Sequence, residues 1–366
     1  MALRTQSVFP GRLVWVEFDS RVLRGNPWND PTQRRFPVWL PEGYDLPGNV
    51  QRYPVLYGLA GYFGSGPSQV NWQPFNETVP ERVARLIHSG AMGPVILVFP
   101  DCFTRLGGNQ YVNSSALGAY GDYLSQEVVP FIDATFRTLA KRDHRGVFGK
   151  SSGGYGALFQ AIFSPDCWGG VVSHAGDAGF DLVYRGDWPN TLDMLARFRP
   201  DVAEKNFKQR AHARKALTQG LDDGRVASFL AAVCRLDRPS SAETHALMNL
   251  GMAATYDPDP AAPNGFRLPF HLETGALLSE RWARWQACDP VYAAPRHAAT
   301  LRQLKCLFLD CGWRDQYHLH YGVRQLSAAL TRARVPHVHE EFDGTHSGID
   351  FRLDRSLPHL YAALKP

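Results

Sequence analysis

The sequence contains no paired cysteines. Cys102, Cys167, Cys234, Cys288, Cys306 and Cys311 stand singly, with no Cys-x-x-Cys spacing among them. A cysteine-built zinc site or a disulfide scaffold is therefore not expected. Several of these residues lie in apolar, strand-like runs such as Cys306-Leu307-Phe308-Leu309, where a thiol acts as a small hydrophobe. That usage points to a reducing compartment. Runs of five or six basic residues are also missing; Arg34-Arg35 and Lys141-Arg142 are short and isolated, and the net charge is only +4. A nucleic-acid binder would show a basic stripe. No apolar stretch approaches the roughly 20 residues of a membrane span. The first residues, Met1–Gln6, show no apolar core of a signal peptide. A cytoplasmic location is expected. Internal repeats and low-complexity tracts are absent as well.

What is present is an ordinary globular composition, 44% hydrophobic and 20% charged over 366 residues, enough chain to bury a large core without metals or disulfides. Short apolar runs alternate with helical patterns. Leu13–Phe18 and Phe36–Leu40 read as an early antiparallel pair at the sheet edge. Tyr53–Leu59, Pro94–Phe99, Gly146–Phe148, Val171–Val172, Cys306–Leu309 and Val338–Phe342 read as further strands. Their near-continuous hydrophobicity suits strands covered on both faces. Helical spacing appears at Val83, Leu86 and Ile87, behind a capping box of Thr78 and Glu81. It recurs at Tyr155, Leu158, Phe159, Ile162 and Phe163, at Leu319, Val323, Leu326 and Leu330, and at Leu357, Leu360, Tyr361 and Leu364. A helix-like stretch from Tyr120 to Phe136 should bend or break at Pro130. The alternation predicts an α/β fold: a mostly parallel eight-stranded sheet with helices on both faces. Residues 181–289 interrupt the rhythm and are too long for a structureless loop. They are expected to form a mainly helical cap, with 1–180 and 290–366 as the core.

The chemistry concentrates at Gly146-Val147-Phe148-Gly149-Lys150-Ser151-Ser152-Gly153-Gly154-Tyr155-Gly156. A strand runs into Gly-x-Ser-x-Gly and then into a helix, the context a nucleophile elbow requires. Gly149 and Gly153 let strand and helix approach, and the turn lifts the Ser151 hydroxyl above the sheet edge. Ser152 is the less suitable nucleophile because Lys150, not a glycine, stands two residues before it. A phosphate-binding loop is excluded because His144 occupies the place of its first glycine.

Serine needs a base. In this architecture the partners follow in the order serine, acid, histidine. His346, in Phe342-Asp343-Gly344-Thr345-His346-Ser347-Gly348, follows the last strand and precedes the final helix. For the acid, Asp315 lies in the loop past Gly312, whereas Asp310 is still within its strand and Asp177 follows an earlier one. Asp315 is preferred. The pairs His318/His320 and His337/His339 lack supporting carboxylate or cysteine spacing, so no metal is expected. The amide of Ser152 should donate to an oxyanion, with a second amide from Tyr57-Gly58-Leu59-Ala60-Gly61-Tyr62-Phe63-Gly64. Tyr62, Tyr155, Trp282 and Trp313 are candidates to line a substrate pocket, as is Trp285, with core packing the competing role for the aromatics of the cap.

These features resemble the putative esterase family of α/β-hydrolases, which includes S-formylglutathione hydrolases, enterochelin esterases, feruloyl esterases and secreted mycolyltransferases. The similarity extends to Arg35-Phe36-Pro37-Val38-Trp39-Leu40-Pro41-Glu42-Gly43-Tyr44, Phe99-Pro100-Asp101, the elbow, and Gly344-Thr345-His346. It implies an α/β-hydrolase fold, a triad of Ser151, Asp315 and His346, and Leu59 as the second oxyanion amide. The implied activity is a serine carboxylic-ester hydrolase acting through an acyl-enzyme. An acyltransferase with the same triad and a non-catalytic binding protein are the alternatives. No cofactor is expected. The expected partner is a small-molecule ester, not nucleic acid or membrane; the oligomeric state is left open, a homodimer included.

Overall fold

The computed structural model describes residues 10–200 and 222–366; the stretch Met1–Gln6 read for a signal lies outside them. Eight strands form the main sheet: β1 (Arg12–Asp19), β2 (Gln33–Leu40), β3 (Val55–Leu59), β4 (Ile96–Val98), β5 (Arg145–Lys150), β6 (Gly170–His174), β7 (Cys306–Gly312) and β8 (Val338–Phe342). Their order is β1-β2-β4-β3-β5-β6-β7-β8. β1 runs antiparallel to β2, and β2 antiparallel to β4; every other pairing is parallel. This is the predicted sheet, edge pair included. β3 is buried along its whole length, because helices cover both faces, and that is why its sequence is continuously apolar.

The register aligns the carboxyl ends of the central strands. Leu59 pairs with Gly149, Lys150 with His174, and His174 with Asp310. Side chains alternate across the sheet. Phe148 and Val172 therefore point to one face, where they meet Leu357, Leu360 and Leu364, while Val147 and Val171 join the core on the other face.

The larger helices are α1 (Val79–His88), α2 (Val129–Thr135), α3 (Ser152–Phe163), α4 (Trp188–Ala196), α5 (Arg225–Val233), α6 (Ser241–Tyr256), α7 (Ser279–Cys288), α8 (Pro290–Arg296), α9 (Leu319–Arg332) and α10 (Leu353–Leu364). The Thr78–Glu81 capping box is formed at α1. Pro130 does not break the helical path from Tyr120. A wider π-helical stretch, Tyr123–Val128, precedes α2. The wider turn accommodates a residue that has no N–H and whose ring would strike the carbonyl four residues back.

Between β6 and β7, helices α4 to α7 surround a hydrophobic cluster of their own. Phe180, Tyr184, Trp188, Leu250 and Trp285 form it together with Tyr155 and Phe159 of α3. α3 thus faces the sheet on one side and this segment on the other, which makes nearly the whole helix buried. Among the described residues, no helix is long and apolar enough to cross a membrane.

Candidate active site

Ser151 is the single residue between β5 and α3. Its backbone is at φ 58°, ψ −126°, a conformation disfavoured for a side chain bearing Cβ and costing on the order of 1–3 kcal/mol. The surroundings hold it there. Its N–H donates to the His174 carbonyl at 2.9 Å, and its carbonyl accepts from the Tyr155 N–H at 2.9 Å. The flanking glycines are required sterically. A Cβ on Gly153 would lie 2.2 Å from the Leu59 carbonyl oxygen, and one on Gly149 would lie 2.4 Å from the Gly153 carbonyl carbon. The close strand–helix approach read from the sequence is therefore present.

His346 sits four residues past β8 and is nearly buried. Its Nδ1 lies 2.8 Å from Asp315 Oδ2, and its backbone N–H donates to Gln316 Oε1 at 3.0 Å. The Tyr317 ring packs edge-on against the imidazole at 4.9 Å. Asp315 is 2% exposed. Its Oδ1 accepts from the Tyr317 N–H at 2.8 Å. Burial pushes this carboxyl up, but the hydrogen bond and charge of His346 outweigh that and hold it below its ordinary value. An ionised Asp315 fixes the proton on Nδ1 and leaves Nε2 as the basic nitrogen.

Asp310 is committed elsewhere. Its Oδ1 is 2.6 Å from His174 Nδ1, its Oδ2 accepts from Arg352 Nε at 2.8 Å, and His174 Nε2 is 2.9 Å from Ser356 Oγ. Ser356, His174 and Asp310 thus make a hydrogen-bonded serine–histidine–aspartate array. It lies in the interior: Ser356 and Asp310 are 0% exposed and His174 3%. Ser356 lies within α10, not at an elbow. This array ties α10 to β6 and β7.

The third aspartate, Asp177, stands beside the elbow. Its Oδ1 is 3.4 Å from Ser151 Oγ, and its Oδ2 is 3.3 Å from Ser152 Oγ. The charge of His346 also acts on Asp177, pulling its carboxyl down against the effect of burial. The Ser151 hydroxyl makes its contact with Asp177 and none with His346 within hydrogen-bond distance. Catalytic hydrogen bonds commonly tighten only once substrate is in place.

As the first residue of α3, Ser152 has an N–H with no helical carbonyl to meet. Leu59 is the last residue of β3 and is 2% exposed. The loop after it approaches the elbow at Gly61, where a Cβ would lie 3.6 Å from the Ser151 Cβ. A cavity of about 360 Å³ adjoins this loop, lined by Leu59, Gly61, Tyr62, Lys150, Ile349 and Asp350 among others. Tyr62 therefore borders it, with its hydroxyl donating to the Leu106 carbonyl at 2.9 Å.

The other aromatic candidates stand differently. Tyr155 is buried, stacked on Phe159 at 4.2 Å, and its hydroxyl donates to the Cys288 carbonyl at 3.0 Å. Trp282 is buried too, with Nε1 donating to Asp181 at 3.1 Å, and Trp285 is fully enclosed. Trp313 is half exposed beneath the Arg314 guanidinium. Sequence reading did not find Gln110, Tyr184 or Tyr256, which gather around Asp177 from distant segments.

Comparison with known proteins gives a consistent picture. The family described as "Putative esterase" matches residues 31–357. Esterase Rv1288 of Mycobacterium tuberculosis is 31% identical over 189 residues, covering 49% of this chain and 36% of its own length. The chain thus spans about a third of that relative. Among solved structures, a ferulic acid esterase aligns with a TM-score of 0.59 at 19% identity, covering 97% of this chain and 99% of that one. An S-formylglutathione hydrolase (FrmB) from Staphylococcus aureus aligns with a TM-score of 0.53 at 15% identity, covering 97% and 98%. At such identities these structures speak for the shared α/β-hydrolase fold.

Proposed function

The chain belongs to the esterase family matched across residues 31–357, and on that premise we propose that it is a serine carboxylic-ester hydrolase with Ser151 as nucleophile, His346 as base and Asp315 as acid. One observation carries the reading: among the described residues Ser151 is the one serine at positive φ, and it stands at a strand–helix junction in a chain whose His346 is already held by a carboxylate. A strained, presented hydroxyl and an oriented imidazole are what acyl transfer to serine requires.

In the proposed cycle His346 Nε2 takes the Ser151 proton as Oγ attacks the ester carbonyl. The oxyanion forms against the Ser152 amide and the amide proposed for Leu59; each such donor is worth about 100- to 1000-fold in rate. The imidazolium, steadied by Asp315, then protonates the leaving alcohol. Water enters with His346 again as base and releases the acid. The substrate is a small-molecule ester, and the cycle calls on no cofactor. Residues 181–289 are proposed as a cap over a core of 1–180 and 290–366. Six free cysteines support a cytoplasmic location.

The test is covalent labelling. A fluorophosphonate should add once per chain, and peptide mapping should find it on Ser151. Labelling on Ser152, or none on folded protein, would refute the assignment.

A further inference from the structure

One carboxyl group beside the nucleophile has no part in the cycle just described. Asp177 follows β6 and is 5% exposed. Its two oxygens have different surroundings. Oδ2 accepts from Gln110 Nε2 at 2.8 Å and from Tyr184 OH at 2.9 Å, with Ser152 Oγ at 3.3 Å. Among the described residues Oδ1 has only the Ser151 hydroxyl, at 3.4 Å, beyond the usual O–H···O range of about 2.5–3.0 Å. That weak contact cannot survive the reaction. Once Ser151 is acylated, its Oγ carries no hydrogen, and Oδ1 faces an ester oxygen, acceptor against acceptor. Oδ1 is then a buried acceptor without its donor, which is unfavourable.

Among the described residues no other group is within hydrogen-bond distance to donate to Oδ1. Gln110 is fully buried, its Nε2 is spent on Asp177 and Tyr256 OH, and its Oε1 has no donor among the described residues. The Tyr184 and Tyr256 hydroxyls lie 3.3 Å apart and engage each other and Gln110. Met252 and the Tyr155 ring complete an apolar surround. The side-chain donors described around Asp177 thus serve Oδ2 and not Oδ1.

We propose that Asp177 is a specificity-determining residue that accepts a hydrogen bond from a hydroxyl or ammonium group on the carbon next to the scissile carbonyl, so that the substrates are esters of 2-hydroxy or 2-amino acids. The geometry is set by covalent distances. A substituent on that carbon is three bonds from Ser151 Oγ and lies roughly 3 Å from it. Asp177 Oδ1 lies 3.4 Å from the same atom, so the two fall within hydrogen-bond reach when they share a side. An unsubstituted acyl group leaves Oδ1 unmet, and one bearing a carboxylate is repelled. Burial, which pushes the Asp177 carboxyl up against the opposing pull of Gln110, Tyr184 and His346, makes the group all the more responsive to a donor.

The proposal rests on Ser151 being the nucleophile. Its test is a comparison of kcat/KM for phenyl esters of propanoic, 2-methoxypropanoic, 2-hydroxypropanoic and 2-aminopropanoic acids, both enantiomers of each chiral acid, every value divided by the hydroxide-catalysed rate. The methoxy ester matches the bulk without the donor. The wild-type protein should favour a donor-bearing ester over both controls by about tenfold or more, since sites built to hydrogen-bond a substrate reject analogues lacking the donor. Asp177→Ala and Asp177→Asn should shrink the preference for the amino ester toward unity. A purely structural defect would slow all four esters alike and leave the ratios unmoved. Retention of the hydroxy preference with loss of the amino preference in Asp177→Asn identifies the carboxylate charge as the ammonium's partner. Equal wild-type rates on all four esters, or an undiminished preference in folded Asp177→Ala, would overturn the proposal while leaving the esterase reading intact. No hydrolysis of any ester, together with no phosphonate labelling, would overturn both.

Discussion

Ser151→Ala is expected to lower kcat for a short p-nitrophenyl ester by about a million-fold, the scale on which removing a serine nucleophile acts, while leaving the fold and melting temperature unchanged. The two halves of this expectation have separate grounds. Activity falls because no neighbour can take over the attack. Ser152 directs its hydroxyl to Asp177, and its own position begins a helix. Stability holds because the substitution keeps Cβ, so the strain of φ 58° is neither relieved nor increased. The lost hydroxyl contact is a single one at 3.4 Å, and the backbone bonds to His174 and from Tyr155 remain. A change within about 0.5 kcal/mol follows. Wild-type rates in a pure sample of this variant would remove Ser151 from the mechanism.

The second large effect separates two aspartates five residues apart. Asp315→Asn should cost about 10⁴-fold in kcat, because an amide in place of the carboxylate favours the wrong imidazole tautomer. Its thermal stability should change little by comparison. Asp310→Asn should do the reverse. It leaves His174 and Arg352 facing a neutral group in the interior, where breaking a paired charge costs about 3–5 kcal/mol. The lower end is expected, since Arg352 keeps Glu340 as a partner. The measurements are kcat and the denaturation midpoint of both variants. If Asp310→Asn suffers the greater loss of kcat at equal folded fraction, the acid must be reassigned.

These two variants also mark where the sequence was readable. The elbow was legible because its requirements are local: a strand, small residues two positions either side of a serine, and a helix. Order along the chain then singled out His346. Asp315 was legible by loop position, since a carboxylate held inside a buried strand pairs with whatever the adjacent strand presents, here His174. The sheet order followed from strands whose hydrophobicity is continuous. What could not be read are contacts between segments far apart in sequence. Asp177 looks like any aspartate after a strand, and nothing along the chain announces that Gln110, Tyr184 and Tyr256 converge on it. Aromatic weight in the β6–β7 segment reported burial and not the direction of exposure. Trp282 therefore looked like a pocket residue, as did Tyr155 of α3, although the polar atoms of both bond within the protein. Pro130 was read as a bend or break because the pattern does not reveal that a helix can widen its turn.

His174 has a double attachment. Its carbonyl receives the Ser151 N–H, and its ring is clasped between Asp310 of β7 and Ser356 of α10. The backbone of the elbow is therefore fastened to the carboxyl-terminal helix through one residue. In an exchange experiment the Ser151 amide should protect as slowly as the amides of α10, opening only when the molecule opens as a whole. The posture of Ser151 is then not a property of its turn alone. It is a mechanical property of the joint between sheet and final helix, and anything that loosens that helix loosens the serine.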